Sequence, residues 1–171
     1  MMNKFKNKFG WKRVTFSLLC VVIPLFVIVR APQFIKDSEI LDFNQNPKSY
    51  DVELQILDSN NEKVTEFLVA IADDDYKKMY GLMNLSNLPP SYGMLFPLSK
   101  NQVIMMWMRN TRIPLDMLFI DENNIIDSIE ANATPYSRKI VASKKEVRKV
   151  LEINGGLAKK HGIQPGQQVK F

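Results

Sequence analysis

The feature that most constrains this chain is a charge-free apolar run, Val14 to Val29, with Lys4, Lys6, Lys8, Lys12 and Arg13 before it and Arg30 after it. Sixteen residues of helix span about 24 Å, somewhat under a hydrocarbon core of about 30 Å. Trp11 and the flanking cations can make up the difference by sitting in the interface. A one-sided cluster of cations keeps the N-terminus cytoplasmic and sends the chain beyond Arg30 across the membrane. The expected division is therefore a basic n-region at 1–13, a signal anchor or signal peptide at 14–30, a Pro-punctuated spacer at 31–48 and one domain at 49–171. Retention as an anchor is favoured over cleavage, because Pro32 would come directly after a cut at Ala31. The membrane is the expected partner of 14–30. The domain is expected to face the periplasm or exterior, and cleavage would instead release it as a soluble periplasmic protein. A reporter that works only outside the cytoplasm, fused after Phe171, is expected to be active; activity of a cytoplasm-only reporter would overturn this topology.

With the leader set aside, the charge takes on another meaning. The chain carries 23 basic and 18 acidic residues, but no acid precedes Asp37 and six of the cations lie at or before Arg30, leaving 17 basic against 18 acidic beyond it. The domain is near neutral, which argues against a phosphate-binding face and against nucleic acid as a partner. The single cysteine, Cys20, lies in the apolar run, where it reads as a small apolar residue. The domain thus has no thiol for a disulfide, a nucleophile or a metal.

The domain reads as mainly β, with α+β character at its margins: a small β-sandwich or partly closed barrel of about eight short strands with two short helices. Val52, Leu54 and Ile56 alternate with Glu53 and Gln55, and a turn at 58–61 leads to a strand carrying Phe67, Val69 and Ile71. Asp73, Asp74 and Asp75 are candidate N-caps for a helix over 76–83. Strands are expected at 94–96, 103–109, 115–120, 125–129 and 147–153, with a hairpin turn at Asp121-Glu122-Asn123-Asn124. Gly155-Gly156 opens a second helix ended by Gly162, and Pro165-Gly166 turns the chain into a last strand.

Elimination takes the chemistry a good distance. His161 is the only histidine and sits at a helix end, where the dipole favours a cation-capable side chain, so a histidine-based nucleophile system is disfavoured. No zinc set, Walker loop, dinucleotide fingerprint or calcium loop is present, and no cofactor is expected. Seven methionines, Met79, Met83, Met94, Met105, Met106, Met108 and Met117, stand in the domain with Trp107 among them. Thioethers and an indole suit Cu(I), but strand alternation puts Met106 and Met108 opposite Met105 and Trp107, and core packing is the stronger reading.

The segment Trp107-Met108-Arg109-Asn110-Thr111-Arg112-Ile113-Pro114-Leu115-Asp116 holds the densest polar chemistry. Asp116, among apolar neighbours, needs a partner if buried, and Arg109 or Arg112 would make an ion-paired corner. Alternatively the segment lines a pocket. The leading expectation is a non-catalytic binding module for an unidentified small molecule or protein, its site formed by Trp107, Arg109, Asn110, Thr111, Asp116 and Tyr136. The alternatives are a carboxylate-based hydrolase or lyase using Asp116, Asp121, Glu130 or Glu152, and a structural partner of a membrane complex.

These same residues carry a resemblance. Gly81-Leu82-Met83, Gly93-Met94-Leu95-Phe96, the tryptophan-to-aspartate block, Phe119-Ile120-Asp121, Val150-Leu151-Glu152 and Gly162-Ile163 with Pro165-Gly166 resemble the DUF192 family, also called UPF0127. The resemblance covers nearly the whole domain and implies a small, mainly β fold, often exported, with no activity to carry over. The chain departs from the family pattern at Leu85, in place of an arginine, and at Gln167, in place of an acid.

Overall fold

The structure, a computed structural model, describes residues 50–171. The leader at 14–30 with Cys20 and the spacer at 31–48 lie outside the described residues. No helix among the described residues is long and apolar enough to cross a membrane.

The domain is mainly β. Its strands are β1 (Val52–Leu57), β2 (Lys63–Ile71), β3 (Tyr92–Gln102), β4 (Met105–Met106), β5 (Leu115–Ile120), β6 (Ile126–Ala133), β7 (Val141–Ala142), β8 (Val147–Asn154) and β9 (Gln168–Lys170). The two short helices are α1 (Asp75–Tyr80) and α2 (Leu157–His161). Seven strands form one sheet in the order β6-β5-β8-β3-β2-β1-β9, and β4 pairs with β7 apart from it. The large sheet is not closed into a barrel. Its ends meet only at the Ile125–Gln168 bridge and the hydrogen bonds around it, so the arrangement is sandwich-like.

Local chemistry sets the hairpins. Asp58 accepts from the backbone N–H of Asn60 and Glu62 across the β1–β2 turn, at 2.8 and 2.9 Å. Asp121 does the same for Asn123 and Ile125 across the β5–β6 turn, at 2.9 and 2.8 Å. Such Asx turns spare the strand ends an unsatisfied donor. Asp74 caps α1 by accepting from the Lys77 N–H at 2.7 Å, and Gly81, at φ 51°, ends it. Because β2 and β3 pair in parallel, the chain between them must cross over, and α1 with the loop after it forms that crossing.

Both faces of the sheet are therefore covered. On one, Leu54, Phe67, Leu118, Leu151 and Ile153 form a core capped by Leu157 and Ala158 of α2. On the other, Met94, Phe96, Met117 and Val150 pack beneath Leu82, Leu85 and Leu88, from the loop after α1, and beneath Met108. Gly93 sets how closely β3 and β8 approach at this point. A Cβ there would stand 2.8 Å from the Glu152 carbonyl oxygen and 3.1 Å from Ile153, so only glycine fits the motif position without displacing β8.

One expected element is different. The strand anticipated over 103–109 is only β4, two residues long, while β3 runs eleven residues to Gln102. After Met106 the backbone leaves the ladder, and Met108 donates to Ser137 O at 3.2 Å instead of to a strand neighbour. β7, absent from the expected strands, exists as the partner of β4.

Candidate functional site

Two buried carboxyls lie on opposite faces of the sheet, and their surroundings give them different parts. Asp116 is in β5, fully buried, and its side chain points to the start of α2. Its oxygens accept from the N–H of Asn132 at 2.8 Å, Gly156 at 3.0 Å and Ala158 at 2.8 Å. α2 has no cap from its own Ncap residue, Gly156, so a strand distant in sequence supplies it. The expected pairing of Asp116 with Arg109 or Arg112 is not present. Both arginines are exposed, and backbone N–H groups satisfy the carboxyl in their place. The reason is geometric: β5 carries Asp116 toward the β6–α2 side, away from the turn on which the arginines lie.

Glu152 is the other carboxyl. It lies in β8, between Met94 of β3 and Met117 of β5 in the cross-strand row. It is 4% exposed, and among the described residues its carboxyl makes no hydrogen bond or ion pair. Burial pushes it up to about 8 from an ordinary 4.5. Loss of water disfavours the charged form, and nothing here compensates for that loss.

Glu152 opens on a cavity of about 290 Å³. The walls come from three places: α1 with the residues just after it supplies Lys78, Met79, Tyr80 and Met83; β4 and its exit supply Met105, Met106 and Trp107; Thr111 completes the side. Met79 and Met105, 61% and 68% exposed, and Trp107, 47% exposed, form an apolar rim around a buried acid. A mostly apolar concavity with one convergent polar group is the usual form of a small-molecule site.

The structure divides the expected site residues. Trp107 and Thr111 line the cavity. Arg109 and Asn110 occupy an exposed turn beside it. Asn110 takes φ 56°, its carbonyl accepts from the Asn84 N–H at 2.8 Å, and so it ties the turn to the loop after α1. Tyr136 is 60% exposed, and its backbone N–H donates to Thr111 O at 3.1 Å, bracing the wall from outside. Asp116 lies on the far face of the sheet from the cavity.

Of the four carboxylates offered for acid–base chemistry, only Glu152 lines the cavity. Asp116 holds α2, Asp121 holds the β5–β6 turn, and Glu130 borders a separate depression of about 100 Å³ with Asn132, Ser137 and Lys139. Among the described residues no second acid lines the cavity with Glu152, so they do not assemble the paired-carboxylate geometry there. His161 stands at the C-terminal end of α2, edge-on to Phe67 at 6.2 Å between ring centroids, a packing position.

Lys78 and Met79 were not among the expected site residues, since nothing local marks α1 as a cavity wall. Glu152 did carry a signal: residues 150–153 are buried without a break, so a strand covered on both faces places its one acid in an interior. The methionines converge where strand alternation had separated them. With only Met105 and Met106 in the ladder, Met105, Met106 and Trp107 all face the cavity, together with Met83. Among the described residues there is no group of three or more His, Cys, Asp or Glu that could hold a metal ion.

A family model, DUF192, described as "Uncharacterized ACR", matches residues 55–171. A crystal structure from Sinorhizobium meliloti 1021, described as a "putative transcription regulator", is 36% identical with a TM-score of 0.67, over 69% of this chain and 91% of that one. A protein of unknown function from Novosphingobium aromaticivorans DSM 12444 is 33% identical with a TM-score of 0.67, over 70% of this chain and 84% of that one. No curated protein matches.

Proposed function

The chain belongs to the uncharacterised DUF192 family, and from that premise we propose that its domain is a non-catalytic binding module that takes a small, largely apolar molecule into the cavity above Glu152. The observation that carries this reading is the unpartnered carboxyl, 4% exposed, at the floor of an apolar cavity of about 290 Å³. A buried polar group without a partner is costly, and a ligand that supplies the partner recovers that cost as affinity. Trp107 and Thr111 belong to the site as wall residues, while Arg109, Asn110 and Tyr136 hold the wall in place. A docked protein would touch the rim of Met79, Met105 and Trp107 but would leave the carboxyl below unanswered, which favours a small ligand. The leader would hold this site outside the cytoplasmic membrane. The regulatory description belongs to the Sinorhizobium protein; the near-neutral charge of the domain here argues against nucleic acid as the ligand.

The test uses the purified full chain with ¹³C-labelled methionine methyls and tert-butylbenzene as the probe. Saturable shifts are expected at Met83 and Met106, with the buried Met117 less affected. Absence of saturable shifts at the cavity methionines, both with this probe and with its trimethylammonium analogue, would sink the reading. A parallel anaerobic titration with Cu(I) is expected to show no tight stoichiometric binding, because Met79 and Met105 are on the exposed rim and no cysteine or histidine among the described residues lines the cavity. Tight 1:1 binding would replace the organic ligand with the metal.

A further inference from the structure

Resting on the cavity reading above, we infer that the ligand is an organic ammonium cation with a compact apolar body, its charge set against Glu152 and its body against the methionines and the Trp107 ring. Three features of the cavity point the same way. Among the described residues Glu152 is the only acid in the lining and no cation pairs with it, so the countercharge is left for a ligand. Trp107, 47% exposed, lines the same cavity, and an indole face attracts ammonium groups, quaternary ones included. The remaining wall is mostly thioether and hydrocarbon, which solvates an apolar body, with Lys78, Tyr80 and Thr111 as its other polar side chains.

A neutral acceptor, such as a ketone, would gain only one hydrogen bond from the protonated acid. A cation gains the charge of the carboxylate in addition, with the Trp107 ring in the same cavity lining. As the cation enters, Glu152 gives its proton to solvent, so binding couples to pH through this residue. The other titratable groups facing the cavity are Lys78 and Tyr80, both from α1. The Tyr80 hydroxyl accepts from Asn84 Nδ2 at 2.8 Å. Lys78 has no ion-pair partner, and a lysine at a cavity mouth keeps its stem on apolar surface and its ammonium in water, where it opposes a bound cation without filling the site.

The experiment compares two probes of nearly equal shape, phenyltrimethylammonium and tert-butylbenzene, on the full chain with Trp11→Phe so that Trp107 alone reports. The charge of the first probe does not change with pH. With Glu152 titrating at about 8, its affinity should rise about tenfold between pH 7 and pH 9, while the neutral probe should show no such rise. Glu152→Gln should abolish the rise and weaken the cation at pH 9, whereas Tyr80→Phe should keep it. Lys78→Met should tighten the cation by a larger factor than the neutral probe, which keeps a test available if Glu152→Gln does not fold. Binding of tert-butylbenzene without phenyltrimethylammonium would overturn the cation inference and leave the cavity reading standing. Equal, pH-independent affinity for both probes would do the same, and failure of both to bind would remove both readings.

Discussion

Asp116→Ala is expected to lower the unfolding free energy by about 3 to 5 kcal/mol, a large part of the roughly 5 to 15 kcal/mol that holds a typical domain together. The substitution removes the acceptor of three backbone donors on two elements, Asn132 of β6 and Gly156 and Ala158 at the start of α2, the last of them buried. Each donor left unsatisfied costs about 1 to 3 kcal/mol, partly offset as the chain relaxes and water enters. α2 would also lose its only side-chain cap, and Leu157 and Ala158 would loosen from one face of the core. Asp116→Asn keeps one acceptor oxygen but turns an amide donor toward backbone N–H groups, and an intermediate loss is expected. Denaturant melts fitted for midpoint and slope measure both variants. A midpoint unchanged in Asp116→Ala would contradict the role assigned to this residue.

The second large effect is a pH dependence that belongs to Glu152. Its carboxyl titrates at about 8 in the folded chain against an ordinary 4.5, with burial as the cause. In the window between those values the folded chain keeps a proton that the unfolded chain has released, so stability falls as pH rises. The contribution is fully present below pH 4.5, declines by about 1.4 kcal/mol per pH unit, and is gone above about 8, a total on the order of 5 kcal/mol. Glu152→Leu removes the titration and fills the space with hydrocarbon. The variant should match the parent near pH 5 and exceed it by several kcal/mol at pH 9. Because every other titrating group is shared, the difference between the two pH–stability curves isolates this residue. Parallel curves from pH 5 to pH 9 would show that Glu152 is not charged at a desolvated site.

These two carboxyls show where sequence reading holds and where it stops. Asp116 was legible as buried because Leu115, Met117, Leu118 and Phe119 surround it, and every residue of β5 is indeed buried. Its partner was not legible. An arginine is the nearest cation in sequence, but the nearest donors in space are backbone N–H groups some 16 to 42 residues away. Glu152 stood as one of four acids, and its apolar neighbours Val150, Leu151 and Ile153 marked an interior strand but not a cavity wall. What distinguishes it is the loop after α1 packing over the sheet face that β8 turns toward it, which is a long-range event.

By itself the sequence determined that the domain is mainly β, that β1 alternates, that one of Asp73, Asp74 and Asp75 begins α1 and that Gly155-Gly156 and Gly162 bound α2. Each of these rests on the preferences of a few adjacent residues: side-chain period, caps and the left-handed conformations open to glycine. It also established the near neutrality of the domain, which is a matter of counting. Only the tertiary structure decided that β4 stops after two residues, that methionines 79, 83, 105 and 106 meet around Trp107, and that Glu152 faces them without a partner. Those outcomes depend on the parallel crossover between β2 and β3 and on the register that sets Glu152 opposite both Met94 and Met117. A cavity is what remains after all the packing around it is settled, and no local preference encodes it.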